Sequence, residues 1–210
     1  MLSEPSRVML IKRTVACLEK LCSRSRLLVT LYSFPYRRVI KNEIALTEIT
    51  ADDRVLNIGC GAIPFTALLI AQFTGARVTA VDRDPDAARR AAACVRRQGW
   101  AHRVRVVCCD AARPPWTPAD FDVALIALQA EPKAPILAHL LGGMAATRVA
   151  ARAPSAAFQT QYDPLPQTYT LADAVAQNMK TFDRSVLFLS SGAARGAARE
   201  ALAKPAGASL

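Results

Sequence analysis

Gly59-Cys60-Gly61, Asp82 and Asp110 are the residues whose types and spacing could do chemistry, because each stands where a short apolar run ends. Arg54-Val55-Leu56-Asn57-Ile58 runs into the glycine pair, Arg77 to Val81 into Asp82, and Val104 to Cys109 into Asp110. Glycine lets a turn pass close to a ligand with no Cβ in the way. An ionised carboxylate only accepts hydrogen bonds, so Asp82 can take both hydroxyls of a ribose and Asp110 the exocyclic amine of an adenine. A Gly-x-Gly turn alone is an ordinary strand-to-helix connection. Acids ending the next two strands make it an adenosine site. Arg83 and Ala111, which follow the two acids, and Leu128, at the end of the next apolar run, join Asn57, Gly59, Cys60, Gly61, Pro64, Asp82 and Asp110 as candidate ligand contacts.

The kind of adenosine follows from two missing features. A dinucleotide turn wants a third glycine for close helix packing, and Pro64 stands in its place. No Gly-Lys-Ser/Thr phosphate loop occurs, which argues against ATP and GTP. S-adenosylmethionine, which carries no phosphate, is the expected ligand. The six cysteines show no Cys-x-x-Cys pair and no clustered histidines, so no metal is expected.

The elements that must position these residues read as strand, turn, helix in alternation. Apolar spacing predicts helices over 1 to about 50, broken at Pro35 and resuming from Tyr36 to Ile49. Strands are expected at 54–58, 77–81, 104–109, 121–128, 147–152 and 186–190. Helices are expected at 64–73, from Asp84-Pro85 to Gly99, near 135–141 and from Gly192 onward. A less regular segment covers 158–169. Strands alternating with helices need crossover connections, hence an α/β fold with a Rossmann-like, mainly parallel sheet. Its 210 residues suit one compact unit, with 1–50 as a helical cap or lid and 51–210 as the ligand-binding domain.

A net charge of +10 raises the question of a polyanionic partner. The arginines are scattered in small groups such as Arg37-Arg38, Arg89-Arg90 and Arg96-Arg97, with no aromatic-studded strand face beside them. Solvated helix faces are the reading adopted, and no nucleic-acid partner is expected. A basic nucleic-acid-binding module is the non-enzymatic alternative. No apolar run approaches membrane-spanning length, and the start of the chain lacks a secretory layout, so no membrane association and a cytoplasmic location are expected. The partner is a small-molecule substrate, and the sequence leaves the oligomeric state open.

Gly-Cys-Gly-Ala-Ile-Pro-Phe-Thr at 59 to 66, with Phe34-Pro35-Tyr36 and Asn42-Glu43 upstream, resembles the class I methyltransferase-like fold in its nicotianamine synthase-like branch. Ala124 to Leu128, Lys133, His139-Leu140, Met144 and Tyr162-Asp163-Pro164 extend the similarity over roughly 34 to 166. The resemblance implies transfer of the aminocarboxypropyl arm of S-adenosylmethionine to an amine, with release of methylthioadenosine. The chain also resembles the small bacterial azetidine-2-carboxylate synthases, which close the same arm on its own nitrogen. A conventional methyltransferase is the further alternative. The Asn/Asp-Pro-Pro-Tyr/Phe motif of amino-group methylation is replaced here by Leu128-Gln129-Ala130-Glu131.

Ring closure needs an unprotonated α-amine and a site closed to bulk water, which the N-terminal helices could provide as a lid. Ordinary methyltransferases often carry a carboxylate where Asn57 stands. A neutral amide does not raise the pKa of a nearby ammonium as a carboxylate does, which favours chemistry at the amine. Tyr36 and Tyr162 are candidates for contacts to the sulfonium and amine, against the plain alternative of core aromatics. The resemblance makes Glu43 a candidate proton acceptor, against that of a helix-surface carboxylate.

Overall fold

The computed structural model describes residues 33–142 and 147–190. Among the described residues four helices flank a seven-stranded sheet: α1 (Tyr36–Thr47), β1 (Arg54–Ile58), α2 (Phe65–Thr74), β2 (Arg77–Asp82), α3 (Pro85–Gln98), β3 (Val104–Cys108), β4 (Val123–Ile126), α4 (Lys133–Leu141), β5 (Arg148–Pro154), β6 (Asp173–Ala176) and β7 (Phe182–Leu189). Short 3-10 turns stand at Pro118–Asp120 and Ala156–Gln161. The strand order is β3-β2-β1-β4-β5-β7-β6. The first five of these strands are parallel, and β7 and β6 are antiparallel additions at one side.

Alternation of side chains along each strand gives the sheet two faces. Val55, Val78, Val123 and Leu125 pack in one core with Ile40 of α1, Ile70 of α2 and Val95 of α3. Leu56, Ile58, Val81 and Ile126 pack in a second core with Ile136, Leu137 and Leu140 of α4. Both faces are covered, as a parallel sheet requires.

Local punctuation sets the element ends near the site. Asp84 caps α3 by accepting from the Asp86 N–H at 2.9 Å, and Pro85 occupies its first position. Gly75 and Gly99 close α2 and α3 in the left-handed conformation. Arg148 of β5 donates to the Thr47 and Glu48 carbonyls at 2.8 and 3.0 Å, satisfying the open end of α1.

Several element boundaries, and one whole strand, differ from the sequence expectation. The fourth strand ends at Ile126 rather than Leu128, because Ala130 N–H turns back onto the Ala127 carbonyl at 3.1 Å. The strand expected from Val186 begins at Phe182, its early part disguised by exposed Asp183 and Arg184. The helix expected near Pro135 starts at Lys133. β6 was not anticipated: it is a short, mostly exposed edge strand without an apolar face to read. The helices expected before residue 33 and from Gly192 onward lie outside the described residues. Among the described residues no helix is long and apolar enough to cross a membrane.

Candidate functional site

The glycine turn is held against the end of β2 by its own backbone. Gly59 and Cys60 N–H groups both donate to the Val81 carbonyl, at 2.9 and 3.0 Å. Gly59 and Gly61 have φ of 75° and 65°, which L side chains rarely adopt. The Asp82 carboxylate braces the turn, accepting from Gly61 N–H at 2.8 Å on one oxygen and Asp84 N–H at 3.0 Å on the other. Each oxygen retains a lone pair. Asp110 accepts from Ala112 N–H at 2.9 Å and likewise keeps capacity.

Between these acids lies an open cleft whose empty space, its mouth included, comes to about 450 Å³. Gly59, Asp82, Arg83, Asp110 and Ala111, five of the candidate contacts, line it. Ile58, Val81, Cys109, Gln129, Ala130, Glu131 and Ile136 complete the wall. Of these, Gln129 to Glu131 carry no motif of their own and are brought in by the turn after β4. Arg83 and Glu131 pair across the cleft at 3.0 Å with an additional bond from Arg83 to the Glu131 carbonyl at 3.1 Å. Both partners are more than half exposed, so the pair closes at little gain and opens at little cost.

Cys60, Asn57, Pro64 and Leu128 stand behind or beyond this cleft. Burial pushes the Cys60 thiol far up, with Asp82 adding to it, and burial also pushes Cys109 up to about 11, with Cys108 and Asp110 contributing. Both are neutral thiols at physiological pH, not nucleophiles. Pro64 caps α2 rather than beginning it, and its carbonyl accepts from Leu68 N–H at 3.0 Å. Asn57 is 1% exposed, and its Oδ1 has no hydrogen-bond partner. A buried acceptor left open is costly and marks a place where a donor belongs.

Beyond the cleft, Tyr36 and Tyr162 come together in one cluster with Val39, Leu128, Phe182 and Met179. The Tyr36 ring lies 4.2 Å from that of Phe65, the first residue of α2. Burial raises the pKa of Tyr162, keeping its phenol protonated. Phe34, two residues before Tyr36, is 71% exposed.

Glu43 is not a helix-surface carboxylate. It is 1% exposed and accepts from Arg152 Nε and Nη2 at 2.8 and 2.9 Å and from the Ser185 hydroxyl at 2.8 Å. Both of its oxygens are engaged, and the two charges are buried as a pair. Arg152 also donates to the Thr66 hydroxyl at 3.2 Å and stacks its guanidinium 5.4 Å from the Phe182 ring centre. Sequence reasoning missed Arg152. The signal was an arginine within the apolar run Val149-Ala150-Ala151-Arg152-Ala153.

Lys133 was noted only through the resemblance, and its position is structural. It is fully buried, and its ammonium donates to the carbonyls of Leu128 at 2.9 Å and Asp163 at 2.8 Å. The Asp163 side chain in turn accepts from Lys133 N–H. Burial lowers the pKa of Lys133, against the raising effect of Asp163 and Glu131. This lysine ties the segment carrying Tyr162 to the end of β4. Among the described residues no group of three or more His, Cys, Asp or Glu side chains is placed to hold a metal ion.

Residues 55–146 match the methyltransferase domain family. A 66-residue segment is 39% identical to a tRNA1(Val) (adenine(37)-N6)-methyltransferase of Bacteroides fragilis, covering 31% of this chain and 27% of that protein. The chain therefore spans well under half the length of the curated relatives it matches. Among solved structures, nicotianamine synthase (MtNAS) in complex with MTA and tNA aligns with a TM-score of 0.69 at 24% identity, over 82% of this chain and 68% of that one. A mutant of MtNAS in complex with S-adenosylmethionine aligns with the same TM-score and identity, over 82% and 70%. The fold is that of the class I methyltransferase-like proteins, and it is shared with nicotianamine synthase.

Proposed function

We propose that the chain is an enzyme that binds S-adenosylmethionine in the cleft between Asp82 and Asp110 and converts its aminocarboxypropyl arm to azetidine-2-carboxylate. The α-amine nitrogen attacks the γ-carbon, and the carbon–sulfur bond breaks with its electron pair going to sulfur. Methylthioadenosine leaves, and the ring nitrogen gives up a proton. The adenosine sits on the glycine turn, with its ribose on Asp82 and its adenine amine on Asp110.

Asn57 carries this reading. Its open, buried Oδ1 offers the arm's amine an acceptor with no charge, so the amine is oriented without being stabilised as an ammonium. A sulfonium activates each carbon bonded to it, and the nucleophile held in line decides which one reacts. Tyr36 and Tyr162 flank the arm, where ring faces favour the sulfonium. Glu43, tied to Arg152 and Ser185, contributes by holding its partners rather than as a free base.

A second reading, transfer of the arm to an external amine, is favoured by the likeness to MtNAS over 82% of the chain. Amino-group methylation, the activity named for the Bacteroides fragilis relative, is disfavoured by Leu128-Gln129-Ala130-Glu131 after β4. Incubating the purified chain with S-adenosylmethionine alone and identifying products by mass spectrometry tests the proposal. Azetidine-2-carboxylate with methylthioadenosine is the expected outcome. Methylthioadenosine only when an amine is added would favour the second reading, and S-adenosylhomocysteine would favour methyl transfer.

A further inference from the structure

The chain holds a buried cation that the adenosine cleft leaves unused. Arg152 sits at the carboxyl end of β5, 6% exposed, on the sheet face covered by α1 and α2. Its hydrogen bond to Thr66 at 3.2 Å puts the guanidinium at the first turn of α2, the helix that leaves the glycine turn. Its stacking partner Phe182 belongs to the cluster that holds Tyr36, Tyr162 and Leu128. The arginine thus lies where the glycine turn and the tyrosine cluster meet.

A guanidinium presents five N–H groups in one plane. Glu43 takes the Nε and Nη2 edge in a two-pronged pair, and Thr66 takes Nη2 as well. Among the described residues nothing accepts from Nη1. We propose that this edge anchors the α-carboxylate of the substrate's amino-acid arm, with Glu43 and Ser185 as the positioning residues that fix the plane. The inference rests on the reading of S-adenosylmethionine as the substrate. That carboxylate is the only anionic group on a ligand that carries no phosphate. Two carboxylates around one guanidinium leave an excess negative charge, which the positive N-terminal end of α2 and the ligand's own sulfonium offset. Fixing the carboxylate also fixes the α-carbon, and so limits the amine to the arc from which it reaches the γ-carbon.

The test is a set of binding measurements that needs no turnover. S-adenosylmethionine, its decarboxylated analogue and methylthioadenosine are titrated calorimetrically against the full chain, against Arg152→Lys, and against the double variant Arg152→Gln with Glu43→Gln. The double variant removes both charges, so no buried charge is left unpaired. Charge-assisted bonds of this kind predict that the wild type prefers S-adenosylmethionine over the decarboxylated analogue by about 10- to 100-fold. In both variants that ratio is expected to fall toward unity while methylthioadenosine binds within about twofold of wild type. A wild type with no preference overturns the proposal, whether or not the variants fold. So does a variant that binds methylthioadenosine normally and keeps the preference, or one that loses all three ligands in proportion. A wild type that binds neither S-adenosylmethionine nor methylthioadenosine overturns the functional reading itself, and this inference with it.

Discussion

At the scale of residues, the two glycines of the turn are under different constraints although both have positive φ. A Cβ on Gly61 would meet nothing within 4 Å, whereas one on Gly59 would stand 3.1 Å from the Ala130 Cβ and 3.3 Å from the Ala127 Cβ. Gly61→Ala therefore bears only the backbone cost of a left-handed alanine, about 1–2 kcal/mol. Gly59→Ala adds crowding against the turn after β4, so urea denaturation should show it to be the less stable variant by roughly 1 kcal/mol or more. Equal losses would mean that the Ala127–Ala130 turn yields freely. The two acids also separate. Asp82 braces Gly61 and Asp84 and is assigned the ribose, so Asp82→Asn puts an amide donor against backbone donors and should weaken methylthioadenosine binding about 10- to 100-fold. Asp110 accepts one local N–H, and Asp110→Asn should cost less, about tenfold or below. Calorimetric titration ranks them, and the reverse order would reassign the ribose.

At the scale of elements, the parallel half of the sheet was legible because each of its junctions is punctuated. Gly59 and Gly61 follow β1, Asp82 ends β2, Asp84-Pro85 opens α3 and Gly99 closes it, all within a few residues of the boundary they set. The contacts that hold Arg152 in place are not local. Glu43 meets Arg152 across 109 positions and Ser185 across 142, and no spacing rule joins such residues. β6 escaped notice for another reason: an exposed edge strand has no buried face to impose a pattern. Lys133 shows how one residue couples elements. Its ammonium satisfies two carbonyls, one after β4 and one in the segment bearing Tyr162. Lys133→Met fills much of the space but orphans both acceptors, and should destabilise the fold by about 2–3 kcal/mol. Turnover should fall with it while methylthioadenosine affinity stays near wild type, since Lys133 does not line the cleft. Unchanged stability would show that the Tyr162 segment is held by other contacts.

At the scale of the whole molecule, stability should depend on pH through the buried thiols on the alkaline side. Burial raises the pKa of Cys60, Cys94 and Cys109 above the unfolded value of 9.0. A group whose folded pKa is raised gives its full contribution below the unfolded value and loses it as pH climbs through the folded one. Above pH 9 the unfolded chain releases thiol protons that the folded chain retains, so stability falls. Cys60, deepest of the three in its shift, contributes a loss of about 1.4 kcal/mol at pH 10, and Cys109 less because it is partly exposed. Lys133 acts in the opposite sense. Its folded pKa lies below 10.5, so the folded chain gives up that proton first and gains stability as pH rises toward 10.5. Three thiols and the Tyr162 phenol, also raised by burial, set against one lysine leave a net decline. Urea midpoints measured from pH 8 to 10.5 should fall steadily in the wild type and more shallowly in Cys60→Ala, after allowance for that variant's own offset at pH 8. Parallel curves for the two proteins would mean that the Cys60 thiol is reached by solvent and that the floor of the glycine turn is more open than the packed structure implies.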